Sequence, residues 1–323
     1  MGRPTWGCRI VLDPQRPREG SPPVEHDATP GPTRFDAACG LGISSAGFSL
    51  SDASVFADDL RAQLVAAGLH PKGEPRRAPD AEELAARCAG SARELARVID
   101  CTLLAPEATD AQVAALCDEA QQHAFATVCV NPLWVADCAA RLKPPVRVGT
   151  VVGFPLGAND PAVKADEAAL AVAAGAHEVD MVLSIGLLRQ AAPAGGPLDL
   201  PRLAAVLEDV RGVVLAVREA EGPAALAERR IKVILETCLL DERQKTLGAL
   251  LAVAAGAHFV KTSTGFSRAG ATREDVALLR ACVLGGAGVK ASGGIRDRET
   301  ALAMLRAGAD RIGSSCAPAL LGG

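Results

Sequence analysis

Three lysines stand where a buried strand ought to be apolar: Lys232 in "IKVILET", Lys261 in "HFVKTSTG" and Lys290 in "GVKASGG". Two aspartates stand in similar runs, Asp100 in "VIDCTL" and Asp180 in "EVDMV". A parallel strand covered on both faces normally reads as a continuous apolar stretch. A lone ammonium or carboxylate buried there costs several kcal/mol unless it is paired or loses its charge. Opposite charges in one interior offset that cost as an ionic network, and such a network could be filler. Lys232 and Glu236, i and i+4 on one strand face, fit that plainer reading as well as any other. Lys261 and Lys290 fit it less well. They fall on consecutive strands, and neighbouring strands lie about 4.8 Å apart. Like charge at that range disfavours protonation of one of the two. An unprotonated lysine is an amine nucleophile that captures carbonyl carbon. The pair therefore predicts a Schiff base, with one lysine attacking and the other depressing its pKa. Asp180 is expected to shuttle protons at the attacked carbon, to act as counter-ion to a lysine, or both.

A second set of residues suits an anion. "TSTGF" places Gly265 after the sixth strand, "KASGGIR" places Gly293 and Gly294 after the seventh, and "RIGSSCA" places Gly313, Ser314 and Ser315 after the eighth. A lone Gly-Gly is most simply a turn. Two such loops at the right strand ends point to phosphate, because barrels often bind it there with backbone N–H groups. Arg296 could assist, although an arginine at a helix start is usually a surface residue.

These side chains need a scaffold that brings many strand ends together. From about residue 97 the chain keeps a rhythm of helices ending in small residues, each followed by a short apolar strand. Its echoes are "AAGAHEVDMV", "AAGAHFVKTS" and "RAGADRIGSS". Candidate strands are 97–100, 126–130, 146–154, 178–183, 231–237, 259–264, 289–292 and 311–314. Strands alternating with helices imply parallel pairing and crossover helices. Eight such units over residues 97–323 fit an α/β fold of the (β/α)8 TIM-barrel type. An open doubly wound sheet lacks its Gly-x-Gly-x-x-Gly signature. Residues 1–50, crowded with Pro, Gly and Arg, read as a disordered N-terminal extension, and 51–96 as a helical lead-in and linker.

Bulk composition removes several function classes. The 323 residues are 49% hydrophobic, with a net charge of -4, 3% aromatics and no tyrosine. Neither a basic footprint nor a stacking platform for nucleic acid is present. No apolar run reaches the roughly 18–20 residues of a membrane span, and the N-terminus does not read as a signal peptide. The 10 cysteines form no Cys-x-x-Cys, which suits reduced thiols in the cytoplasm. The 5 histidines show no i, i+4 pair and no cluster with carboxylates, so a histidine-built metal site is not expected.

The segments "DCTLLAPEAT", "VCVNPLWV", "VVGFPLGAND", "EVDMVLSIG", "KVILET", "FVKTSTGFSRAGAT", "VKASGGIR" and "RIGSS" together resemble the deoxyribose-phosphate aldolases. These are class I, carbon–carbon-cleaving aldolases. The resemblance runs from about Arg97 to Leu321 in the family's order. It implies reversible cleavage of 2-deoxy-D-ribose 5-phosphate to D-glyceraldehyde 3-phosphate and acetaldehyde, without metal or cofactor. It makes Lys261 the Schiff-base lysine, Lys290 its perturbing neighbour and Asp180 the proton donor and acceptor. Asp100, Thr102, Cys129 and Lys232 become pocket residues. Gly265, Gly293, Gly294, Ser314 and Ser315 fall on the phosphate loops. It also implies a cytoplasmic homodimer with small-molecule partners only. Cys101 and Cys316 depart from the family pattern, the latter at a phosphate-loop serine. With no tyrosine in the chain, the C-terminal tyrosine of some members has no counterpart, and water or Asp180 is expected to carry that proton. Two rival readings remain: another class I sugar-phosphate aldolase, and a sugar-phosphate-binding barrel without catalysis.

Overall fold

The computed structural model describes residues 80–283 and 285–322, together with 58, 61–66 and 68. The expected extension over residues 1–50 lies outside the described residues. Of the lead-in, 61–66 are helical. Leu64 is buried there and Arg61 donates to the Cys282 carbonyl at 3.0 Å. Helices α1 (Ala81–Gly90) and α2 (Ala92–Ala96) follow, each started by a side-chain cap, Asp80 and Ser91.

Eight parallel strands close into a barrel in chain order: β1 (Ile99–Leu103), β2 (Thr127–Val130), β3 (Arg147–Val152), β4 (Glu178–Val182), β5 (Arg230–Ile234), β6 (Phe259–Lys261), β7 (Gly288–Ser292) and β8 (Arg311–Ser314). The main helices between them are α3 (Asp110–His123), α4 (Val135–Arg141), α5 (Pro161–Ala173), α6 (Ile185–Ala191), α7 (Leu200–Glu219), α8 (Glu242–Ala255), α9 (Arg273–Val283) and α10 (Arg298–Arg306). The protein is thus a (β/α)8 barrel. Aspartates start several helices by accepting backbone N–H groups: Asp160 before α5, Asp199 before α7, Asp241 before α8 and Asp297 before α10. Gly256 ends α8 with φ of 94°, the left-handed turn that glycine adopts without penalty. That turn is the physical content of the repeated Ala-Gly-Ala. Among the described residues no helix is long and apolar enough to cross a membrane.

Strand alternation sorts the side chains into two populations. One parity packs against the helices: Val128, Val148, Val179, Ile231, Val260, Val289 and Ile312 are all buried. The other parity fills the interior, and it carries Asp100, Cys129, Asp180, Lys232, Lys261 and Lys290.

Four strands differ from expectation by two residues or more at an end. β1 begins later and runs past Asp100, because Arg97 still has helical backbone as the C-cap of α2. β3 stops at Val152 because Gly153 turns with φ of 61°. β6 stops at Lys261, before the Thr-Ser-Thr-Gly turn. β5 ends at Ile234, and Glu236 sits beyond it with φ of 57° and ψ of 63°. Glu236 therefore leaves the strand face of Lys232, and the expected i, i+4 pair does not form.

Candidate active site

Register places the ionic residues before any side chain is considered. Lys261 on β6 is the direct cross-strand partner of Lys290 on β7, and Asp180 on β4 is that of Lys232 on β5. The interior side chains then converge. Asp180 Oδ2 accepts from Lys261 Nζ at 2.8 Å and from Lys290 Nζ at 2.7 Å. Its other oxygen accepts from Lys232 Nζ at 2.7 Å. Lys290 Nζ also donates to Asp100 Oδ2. Lys232 Nζ lies 2.6 Å from Glu178 Oε2 and 3.7 Å from Asp100 Oδ2. Arg311 on β8 donates to Asp100 Oδ1 at 2.7 Å and lies 3.6 Å from Glu178 Oε1.

Sequence reasoning missed two members of this cluster, Glu178 and Arg311. Each opens its strand, where a polar residue is ordinary. The available signal was period two: Glu178 shares a face with Asp180, and Arg311 shares one with Gly313, whose missing side chain leaves room for Lys290. A Cβ built on Gly313 would lie 3.0 Å from Lys290 Cε.

Three carboxylates (Asp100, Glu178, Asp180) face four cations (Lys232, Lys261, Lys290, Arg311), and all but Arg311 are almost wholly buried. Arg147 adds a 3.5 Å contact to Glu178, but with 31% of its side chain in solvent it is screened. Burial of an uncompensated charge is expensive, so the interior favours the loss of one proton. The geometry selects Lys261, since Lys290 and Lys232 each lie against two or more carboxylates and Lys261 against Asp180 alone. The electrostatics agree. Burial, the largest influence, and then Lys290 pull the Lys261 ammonium below the ordinary lysine range, against the opposing pull of Asp180. The neighbouring cation is thus the lesser lever, whereas the sequence suggested that it would lead. Burial acts on Lys290 in the same sense, but Asp100 and Asp180 outweigh it and hold that group above the ordinary range. For Asp180, burial alone would raise the pKa, yet Lys232, Lys261 and Lys290 together hold it well below the carboxylate range. The site therefore combines an amine whose pKa is held below the ordinary lysine range with an ionised carboxylate 2.8 Å away.

Above this layer lies a small apolar wall of Leu104, Cys129, Val151 and Phe154. Burial and Asp180 push the Cys129 thiol up to about 11, so it stays neutral. Thr102, half-buried, donates to the Asp100 carbonyl at 3.0 Å. Phe154 meets Phe266 edge-on at 5.2 Å, from the loops after β3 and β6. Cys101 has the opposite parity and its thiol faces Glu119 of α3 at 3.9 Å, so this departure touches helix packing rather than the site.

The glycine loops come together at one end of β6 and β7. A Cβ on Gly293 would lie 2.9 Å from Gly270 Cα and 3.5 Å from Gly265 Cα, and Gly293 and Gly265 both have positive φ. Such close backbone approach is open only to glycine. Gly294 is exposed, with a φ of 80°. Ser314 faces the other way: its hydroxyl donates to the Ile295 carbonyl at 2.8 Å and accepts the Cys316 N–H at 3.0 Å. Ser315 is exposed next to it. Among the described residues no three of His, Cys, Asp or Glu are grouped as metal ligands would be.

Comparison with known proteins gives a consistent result. The chain is 50% identical over 230 residues to a deoxyribose-phosphate aldolase of Geobacillus sp. (strain WCH70), covering 71% of this chain and 95% of that one. It is 52% identical over 230 residues to the corresponding protein of Micrococcus luteus, covering 71% and 96%. The tetrameric deoxyribose phosphate aldolase structure from Aeropyrum pernix superposes with a TM-score of 0.63 at 35% identity, covering 75% of this chain and 95% of that one. No family model matches the chain.

Proposed function

The chain belongs to the deoxyribose-phosphate aldolase family, and from that premise we propose that it cleaves 2-deoxy-D-ribose 5-phosphate reversibly through a Schiff base on Lys261. The observation that carries the proposal is the sharing of one Asp180 oxygen by Lys261 and Lys290. In this reading the neutral Lys261 amine attacks the C1 aldehyde of the open-chain sugar. Loss of water from the carbinolamine leaves an iminium ion, which is the electron sink. A base removes the C3 hydroxyl proton, the C2–C3 bond breaks, and its electrons enter the iminium to form an enamine. D-Glyceraldehyde 3-phosphate leaves. Protonation of the enamine at C2 and hydrolysis then release acetaldehyde and restore the amine. Asp180, ionised and next to Lys261, is the group suited to relay protons at the carbinolamine. Lys290 keeps its proton and holds Asp180 and Asp100 in place. Lys232 and Asp100 complete the ionic layer, while Cys129 and the apolar wall take the two-carbon end. Gly265, Gly293, Gly294 and Ser315 offer donors to the phosphate.

Borohydride reduction in the presence of acetaldehyde tests this directly. An ethyl group on Lys261, found by peptide mass spectrometry, together with cleavage of deoxyribose 5-phosphate, is the expected result. Trapping with a ketone donor alone would favour a different sugar-phosphate aldolase. No trapping and no turnover would favour a binding barrel. The enzyme is expected to work in the cytoplasm as a homodimer. Leu156, Val163 and Leu170 are large apolar side chains left exposed on and before α5, and sedimentation velocity reads the self-association.

A further inference from the structure

Among the described residues Glu236 pairs with no cation, although three buried lysines lie in the same barrel. It sits just past β5 in left-handed backbone, which a residue with a side chain adopts at a cost, and only 2% of its surface is exposed. Its carboxylate faces the loop after β6. Oε2 accepts the Thr264 N–H at 3.2 Å and also the Thr264 hydroxyl. The same hydroxyl oxygen accepts the Phe266 N–H at 3.0 Å. Oε1 lies 3.7 Å from the Cys238 thiol, and that thiol lies 3.3 Å from Ser267 Oγ. The residues on both sides of Gly265 are thus tied to one carboxylate, directly or through a single hydroxyl. Gly265 in turn abuts Gly293, so its position also fixes the approach of the loop after β7.

We infer that Glu236 is a positioning residue for phosphate recognition, clamping the Thr264–Gly265–Phe266 turn so that the two glycine loops present their backbone to the phosphate. This rests on the proposed aldolase reading, and it adds a residue that never touches the substrate. The strained backbone and the buried carboxylate are both unfavourable alone. Both follow from the need to reach Thr264 from the end of β5, since a continued strand would put the side chain on the interior face that carries Lys232 instead. Lys261 stands only three residues before Thr264, but β6 and the cross-strand partners of Lys261 hold it independently of the clamp. Loss of the clamp should therefore fall on phosphate binding and spare the amine.

The test compares cleavage of 2-deoxyribose 5-phosphate with that of unphosphorylated 2-deoxyribose by wild type, Glu236→Gln, Glu236→Gly and Thr264→Val. Glycine relieves the backbone cost while removing the carboxylate, so it separates strain from clamping. The expected result is a fall of about tenfold or more in the preference for the phosphorylated substrate in Glu236→Gly, the scale of one lost charge-assisted hydrogen bond. It should appear as a raised KM, with kcat/KM for 2-deoxyribose unchanged. Thr264→Val should move the same ratio by less. A parallel loss for both substrates, or no change in the ratio in any soluble variant, overturns the clamp. Should wild type fail to cleave the phosphorylated sugar, the aldolase reading falls and takes the clamp with it, whereas an active wild type with an unchanged ratio defeats the clamp alone.

Discussion

Lys164 and Lys261 are both buried lysines bonded to an aspartate at 2.8 Å, yet their charge surroundings differ. Lys164 projects from α5, outside the barrel, and among the described residues is the one cation paired with Asp209 of α7. Its Nζ also donates to Ser184 Oγ at 3.2 Å, and Asp209 accepts the Ser184 N–H and hydroxyl as well. Charge there is balanced one to one, and the pair ties α5 and α7 to the end of β4. Inside the barrel Asp180 is divided among three lysines, and the whole cluster carries one cation too many. Burial is common to both regions and is the larger influence on Lys261, so what distinguishes the two is the ratio of carboxylates to cations.

The sharpest separation of the two regions comes from removing each amine. Lys261→Ala should lower turnover by about 10^4-fold or more, the scale of losing a covalent nucleophile, with the fold intact by circular dichroism. Lys164→Met should do the reverse. Breaking a buried pair leaves Asp209 uncompensated and should cost about 3–5 kcal/mol in denaturant unfolding, while the pH dependence of kcat/KM in the surviving enzyme stays put. A stable Lys164→Met enzyme with an altered pH profile would erase the distinction.

The next prediction alters the ratio itself. Lys290→Leu removes one cation, so the interior no longer gains by discharging Lys261. The acid limb of the kcat/KM profile, which reports loss of the Lys261 proton, should move to higher pH by about one unit or more. An unmoved limb would mean that Lys261 is tuned by burial alone. Arg311→Gln removes a cation that touches Asp100 and Glu178 but not Asp180, so the same limb should move the same way by less. A larger shift than for Lys290→Leu would contradict the geometry.

A smaller and more diffuse effect concerns acid stability. Asp100 and Asp180 keep folded pKa values below their unfolded ones, because neighbouring cations outweigh burial. Groups depressed in this way contribute stability that is complete above their unfolded pKa, about 4, and lost as pH falls through the folded values. Tm should therefore decline steeply below about pH 4, beyond a shallower step that begins near pH 6.5 from His177, which burial holds below the ordinary histidine range. A Tm that does not fall below pH 4 would mean that the cations do not hold these carboxylates.

Much of this was legible in the sequence for a simple reason. Lys261, Lys290, Lys232 and Asp180 interrupt apolar strands, and consecutive parallel strands must be neighbours in a barrel. The interior layer follows from those two facts. Glu178 and Arg311 escaped because they open their strands, where charge usually meets water. Lys164 escaped because a lysine in "PAVKADEAALAVA" looks like any solvated helix residue, and nothing local shows that α7 covers it. Glu236 was read onto the wrong face for a different reason. Period two was carried past Ile234, and a glutamate gives no warning of a left-handed turn, which sequence signals with Gly or Asn. The glycine loops were found by their composition. Ser314, by contrast, bonds the Ile295 carbonyl after β7 and the Cys316 N–H after β8, a choice that only backbone geometry settles.

In the proposed mechanism Lys261 gives up its proton because it is buried in a layer of four cations that three carboxylates cannot balance. NMR titration of lysine Nζ in the full-length protein with 15N-labelled lysine, Lys261 assigned through Lys261→Ala, measures this most directly. Lys261 should titrate below the ordinary lysine value of about 10.4, with Lys290 and Lys232 still protonated beyond it. A Lys261 that titrates at or above that value, or a Lys290 that loses its proton first, would contradict the account.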